Sequence, residues 1–272
     1  MEQTKRIPNV LTIAGVDPSG GAGILADVKV MSALGTFATS VIAALTAQNT
    51  RAVTGVLPVP PEFVTQQLDT LFADVRIDAV KVGMVGESPV VHAVAEGLKK
   101  HCPKWIVLDT VMVAKSGDRL LADEAVETFK KELLPLANVI TPNLPEAGVL
   151  LGREIRTQDE MYEAARDLLA MCAPNATVYL KGGHLEGDLA RDVIFDGKDF
   201  VVLDAERVQT KNTHGTGCSL SSAIAAYLAK TDSLSESCRL AKQYITRAIA
   251  SADELEVGAG HGPIHHFVEL WK

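Results

Sequence analysis

The run Val10-Leu11-Thr12-Ile13-Ala14-Gly15, continued by Val16-Asp17-Pro18-Ser19-Gly20-Gly21-Ala22-Gly23 and a helical pattern from Ile24 to Leu34, decides the fold. A short unbroken apolar run reads as a strand buried on both faces. A glycine-rich turn then leads the chain into a helix, which is how phosphate and nucleotide sites open. Two familiar motifs are missing. A P-loop needs Gly-Lys-Ser/Thr, whereas Gly20 is followed by Gly21 and Ala22, and the G-x-G-x-x-G fingerprint is absent. The turn is either a tight turn alone or a surface on which a small ligand lies against backbone. Asp27, one turn into the helix, reads locally as an exposed acid near the positive end of the dipole.

The same alternation continues outward. Strands are expected at 39–46, 52–59, 79–84, 104–108, 139–141 and 176–180, with helices at 62–72, from Ser88 as N-cap, 123–134 and 158–171. Residues 191–197 and 199–208 read as a hairpin about a two-residue Asp196-Gly197 turn. Helix-length gaps between buried strands imply parallel strands and right-handed crossovers. The expected architecture is α/β: one domain over residues 1–272, with a mostly parallel sheet of roughly eight strands and helices on both faces.

In such sheets ligands sit beyond the carboxyl ends of the strands. Gln48, at a strand end, is either a turn amide or a reader of a heterocycle edge, since an amide donates and accepts at once. Asn143 and Glu146 fit a helix capping box, and they also fit a metal–phosphate cluster. Lys181, before Gly182 and Gly183, can reach a cleft as a point charge for phosphate. Capping boxes are also expected at Thr157/Glu160 and Ser233/Glu236.

The stretch Thr210-Lys211-Asn212-Thr213-His214-Gly215-Thr216-Gly217-Cys218 precedes a helix with Leu220, Ala223, Ile224 and Tyr227 on one face. Bare N–H groups at a helix start, with the dipole behind them, form an anion site. Cys218 falls in the first turn, where a lowered thiol pKa is expected, which makes it a candidate base or nucleophile. The bland alternative is a loop-to-helix junction with a small buried cysteine.

Composition excludes other classes. The net charge of −8, with no basic run, argues against nucleic-acid and membrane-surface binding. Cys102, Cys172, Cys218 and Cys238 have neither CxxC nor zinc spacing, and unpaired cysteines suit a reducing compartment. No signal peptide or membrane-length apolar run is evident, so a cytoplasmic location is expected. The spacing of His261, His265 and His266 is not that of a helical metal site.

Seven motifs taken in order carry a resemblance. They are Ala14-Gly15-x-Asp17-Pro18-Ser19-Gly20-Gly21-Ala22-Gly23 with Asp27; Thr46-x-Gln48-Asn49-Thr50; Lys81-x-Gly83-Met84; Asp109 through Lys115 to Gly117; Thr141-x-Asn143-x-x-Glu146; Lys181-Gly182-Gly183-His184; and Asn212 through Gly215-Thr216-Gly217-Cys218. From about residue 8 to 268 the chain resembles the hydroxymethylpyrimidine/phosphomethylpyrimidine kinases of thiamine synthesis, in the ribokinase superfamily.

The resemblance implies a ribokinase-like three-layer sandwich, ATP with Mg²⁺, a small-molecule pyrimidine substrate and a homodimer. It implies two successive phosphorylations of 4-amino-5-hydroxymethyl-2-methylpyrimidine, first on the hydroxymethyl group and then on the resulting phosphate. Gln48 would read the ring, with Gly15, Asp27, Met84 and Val111 forming its pocket. Lys181 would meet the nucleotide phosphates, with Asp109 and Lys115 also on the nucleotide side. Asn143 and Glu146 would lie near the magnesium, Glu146 directly or through water. Gly215, Thr216 and Gly217 would supply the anion hole, with Cys218 at the acceptor. Thr110 stands where many relatives carry proline, beside a flap expected over Val111–Gly117. A pyridoxal kinase is the nearest rival reading. A nucleotide-binding oxidoreductase and a non-catalytic binding protein are the others.

Overall fold

The computed structural model describes residues 6–112 and 123–271. Its strands are β1 (Asn9–Val16), β2 (Phe37–Gln48), β3 (Val53–Pro58), β4 (Ala79–Val82), β5 (Ile106–Leu108), β6 (Val139–Ile140), β7 (Thr177–Lys181), β8 (Asp192–Phe195) and β9 (Phe200–Leu203). Its α-helices are α1 (Gly23–Ala33), α2 (Pro61–Asp74), α3 (Ser88–His101), α4 (Asp123–Glu132), α5 (Leu144–Leu151), α6 (Gln158–Leu169), α7 (Thr216–Thr231) and α8 (Leu234–Ala250). The strands form one sheet in the order β3-β2-β1-β4-β5-β6-β7-β8-β9. Strands β2, β1, β4, β5, β6 and β7 run parallel, and β3, β8 and β9 add antiparallel edges.

Two cores flank the sheet, separated by the period-2 alternation of the strands. Leu11, Ile13, Val80, Val82 and Leu108 face the layer of α2 to α6. Val10, Ala79, Val107, Val139 and Tyr179 face the layer of α1, α7 and α8. This is the three-layer arrangement expected from the alternation. The strand order reverses between β1 and β4, and a crevice opens where crossovers diverge to opposite faces.

Local differences have local causes. The sheet has nine strands rather than about eight, since both arms of the 192–203 hairpin join it. That hairpin has a four-residue loop, because Phe195 pairs with Phe200. The Asp196 carboxylate accepts from the Lys198 and Asp199 amides and so rounds the turn over four residues. The N-cap of α3 is Glu87 instead of Ser88, without a side-chain cap. The Asn143/Glu146 and Thr157/Glu160 boxes form in both directions. At α8 the Ser233 side chain accepts from the Glu236 amide.

The least expected feature is a charge pair inside the α1/α7 layer. Lys81 and Asp27 are both 0% exposed, and Lys81 Nζ donates to Asp27 Oδ2 at 2.8 Å. Thr12 donates to the same oxygen at 2.6 Å, and Ser222 of α7 to Asp27 Oδ1 at 2.7 Å. Burial alone would lower the Lys81 pKa, but the Asp27 carboxylate more than restores it, so the ammonium stays charged. The pair joins β1, β4, α1 and α7. Lys81→Met leaves a buried carboxylate without its counter-charge. It is expected to cost about 3–5 kcal/mol in urea unfolding, with part recovered in the Lys81→Met/Asp27→Asn double variant. A loss below about 1 kcal/mol would remove the pair from this role.

Candidate active site

A cavity of about 900 Å³ opens at the carboxyl ends of the strands, over the crevice between β1 and β4. Gly15, Gln48, Met84, Asp109, Val111, Asn143, Glu146 and Lys181 line it, together with the whole Gly215–Cys218 segment. So nearly all the residues expected at the site meet in one cavity although they come from distant parts of the chain. Asp27 does not line it. It faces the sheet from α1 and is consumed by Lys81, so neither the exposed-acid reading nor a direct pocket role fits its position. Lys115 and most of the expected flap lie outside the described residues. Thr110 is described, and its hydroxyl donates to Glu146 Oε2 at 3.0 Å.

Backbone packing shapes the α7 end. Gly215 is the N-cap of α7 at φ +74°, and a Cβ there would overlap the Gly21 carbonyl. Only glycine lets the two glycine turns lie against each other. The Thr216 amide is shared with the Thr213 carbonyl at 3.3 Å, and the Ser219 amide makes the first turn's bond to Gly215 at 2.9 Å. The amides of Gly217 and Cys218 would therefore lead an anion site at this helix start, ahead of Thr216. A Cβ on Gly217 would lie 3.2 Å from Lys181 Nζ, so that ammonium stands beside the helix start.

Lys181 lies 3.7 Å from Asp109 Oδ1 and 3.8 Å from Glu146 Oε2. Burial lowers its pKa, but the two carboxylates outweigh burial and raise it. Burial raises the Glu146 pKa, and Lys181 only partly offsets this. Glu146 Oε2 also accepts the Asn143 amide at 2.8 Å, so the cap and the cluster use one carboxylate. Asp109 Oδ2 is buried without a hydrogen-bond partner. An orphaned carboxylate oxygen beside a second carboxylate and a lysine is an incomplete polar cluster that fits a cation and phosphate oxygens.

The Cys218 expectation is corrected. Burial pushes its thiol up to about 12, against the pull of the Lys81 ammonium and the Gly23 amide. Desolvation of the thiolate outweighs the helix-start effect, so the resting group is a thiol.

Sequence reasoning missed a second cluster. His214 Nε2 is 2.7 Å from Asp17 Oδ2, and the same carboxylate takes the Ser19 amide and hydroxyl at 2.9 Å and the Ala22 amide at 3.0 Å. Burial raises the Asp17 pKa, but these donors, His214 foremost, bring it below the usual range. The signal was present in Asp17-x-Ser19, an Asx-turn pattern, but its partner lies 197 positions away. In the tail, His265 and His266 are buried, and the described residues hold no group of three metal-ligating side chains.

Residues 17–265 match the family model described as phosphomethylpyrimidine kinase. A hydroxymethylpyrimidine/phosphomethylpyrimidine kinase of Escherichia coli (strain K12) is 52% identical over 268 residues, covering 98% of this chain and 100% of that protein. The ADP complex of a Bacillus subtilis pyridoxal kinase is similar in structure, with TM-score 0.89, 35% identity and coverage of 97% and 99%. A phosphomethylpyrimidine kinase structure from Clostridium difficile 630 has TM-score 0.79 and 42% identity, covering 89% of this chain and 99% of that one. With a family match over most of its length and a relative above half identity, the chain belongs to the phosphomethylpyrimidine kinase family.

Proposed function

We infer that the protein is an ATP-dependent kinase of thiamine biosynthesis that phosphorylates 4-amino-5-hydroxymethyl-2-methylpyrimidine and then its monophosphate. The observation that carries this reading is the convergence of Gln48, Lys181, Glu146 and the Gly215–Cys218 helix start on one cavity. The ring lies at the Gln48 and Met84 end. The donor's phosphates lie between Lys181 and the α7 amides, and its base lies toward Val208, Ile245 and Ile249, which also line the cavity.

Magnesium fits the carboxylate side. Asp109, with its orphaned oxygen, and Glu146 would hold it, completed by phosphate oxygens and water, as is usual for this ion. It would neutralise charge on the transferring phosphate. The chain's own residues orient and stabilise. Lys181 and the amides of Gly217 and Cys218 face the developing charge without reorganising. Cys218 Sγ orients the acceptor hydroxyl. A loose transition state asks little nucleophilic bonding of that oxygen, so the hydroxyl keeps its proton until the new P–O bond forms and then passes it to an oxygen of the transferred phosphoryl group, with no thiolate base required. The second acceptor, a phosphate monoester with second pKa about 6, is already ionised at neutral pH.

The homodimer and a cytoplasmic location belong to the same reading. Edge strand β3 exposes Val56 and Leu57 at 51% and 64%, and Leu45 is exposed beside them. An apolar edge strand is a pairing surface, and light scattering at twice the chain mass is the expected result, against a single chain mass. The four free cysteines support a reducing compartment. Among the described residues no helix is long and apolar enough to cross a membrane.

ADP release with ATP and Mg²⁺ should be robust on the hydroxymethylpyrimidine and its monophosphate, and weaker on pyridoxal. No turnover on any of the three would sink the kinase reading. Cys218→Ala should slow the first phosphorylation by about 10²-fold, the scale of a misplaced acceptor, and the second by much less. Equal losses, assayed separately, would contradict the assignment.

A further inference from the structure

The Asp17–His214 cluster touches the ring-reading amide, and its hydrogen bonds fix which way that amide points. The Asp17 carboxylate already accepts from the Ser19 amide and hydroxyl and the Ala22 amide, which hold it ionised, so the proton in its 2.7 Å contact belongs to His214 Nε2. A protonated ring nitrogen has no lone pair left to accept with. With that proton already given to Asp17, an N–H of the Gln48 amide 3.5 Å away would find no acceptor on this nitrogen, so the contact suits the carbonyl oxygen Oε1 and disfavours the amide nitrogen.

The other end of the amide gives the same answer independently. Thr46 Oγ1 lies 2.9 Å from the Val16 carbonyl, which can only accept, so its one proton goes there. The Gln48 atom 3.2 Å from the same hydroxyl must then be a donor, the nitrogen Nε2. The Thr46 count sets the direction of the amide, and the His214 N–H on the other side disfavours the reverse.

We propose that Asp17 and His214 act as a positioning pair that locks the Gln48 amide with Oε1 toward His214 and Nε2 toward Thr46, and so sets the direction in which the substrate ring binds. This rests on the reading of Gln48 as the ring reader. The locked amide keeps one free lone pair on the His214 side and one free N–H on the Thr46 side. Its complement is a ring edge with an amine donor adjacent to a ring-nitrogen acceptor. In a 4-amino-5-hydroxymethylpyrimidine the amine then lies on the His214 side. The 5-substituent is the amine's neighbour on the face away from that ring nitrogen. It is carried to the side from which Gly215, Thr216, Gly217 and Cys218 continue directly. The opposite amide would turn the hydroxymethyl group away from the α7 helix start. The lock thus couples ring recognition to acceptor placement. It also selects against a 4-oxo analogue, whose edge presents donor and acceptor in the reverse order.

The test has two arms. In the first, long-range ¹⁵N–¹H NMR of the ligand-free enzyme near pH 8 reads the His214 ring. Protonation at Nε2 is expected, and a ring protonated only at Nδ1 would overturn the proposal. In the second, kcat/KM is measured for the 4-amino substrate and its 4-oxo analogue in wild type, His214→Ala and Asp17→Asn. The amino/oxo ratio should fall about tenfold or more in both variants, the scale of one misdirected hydrogen bond. The change should appear mainly in KM. A merely structural role lowers both substrates together, and an unchanged ratio would overturn the proposal. If wild type turned over neither pyrimidine, the substrate reading would fall, while NOEs from the Gln48 Nε2 protons to Thr46 and not to His214 would still uphold the amide lock.

Discussion

The aim of the helix at this site depends on a buried ion pair that does not itself line the cavity. Asp27 and Lys81 sit between the sheet and the α1/α7 layer, fully enclosed, with Thr12 and Ser222 completing the carboxylate's bonds. A lone buried charge would be prohibitive, so each partner requires the other. Ser222 lies four residues after Cys218 on α7, hence one turn below it on the same face. The bond from Ser222 to Asp27 therefore anchors the helix whose first turn is the proposed anion site. The pair also stands at the β1/β4 crevice, where the fold already opens a binding site. Stability and function meet here because one set of bonds fixes both the layer and the aim of α7.

The cavity is electrostatically divided. On one side Lys181 lies between Asp109 and Glu146, a cluster with an oxygen left without a partner. On the other side Asp17 and His214 form a compact acid–imidazole contact beside Gln48. In the proposed reading, charge that develops on a transferring phosphate would meet the first cluster, while ring identity would be read at the second. Cys218 lies between these functions. Its thiol is raised by burial, which suits a group that orients an alcohol rather than a standing nucleophile.

The layered fold was legible because alternation of buried strands and helix-length gaps is a local signal. The cavity's main residues were legible as strand ends and a helix start. Four features were not, and each has a physical reason. Lys81 looked like a strand residue because nothing near it in sequence names its partner, although a lysine within Ala79-Val80-Lys81-Val82 must have one. Asp27 was misread because helix orientation, which turns it inward, depends on the sheet packed beneath. The Cys218 thiol was expected to be low because position on a helix can be read locally, whereas burial, which wins, is set by tertiary packing. The His214–Asp17 contact joins the two ends of the chain, so only the fold brings it together.

The account's central claim is that one helix start receives the transferring phosphate while Gln48 holds the acceptor ring. A crystal structure with ADP, Mg²⁺, aluminium fluoride and the hydroxymethylpyrimidine tests it most directly. The account predicts the fluoride group on the Gly217 and Cys218 amides, within reach of Lys181, with the acceptor oxygen beside Cys218 and the ring edge on Gln48. A fluoride group bound away from that helix start, or a ring that leaves Gln48 unengaged, would contradict it.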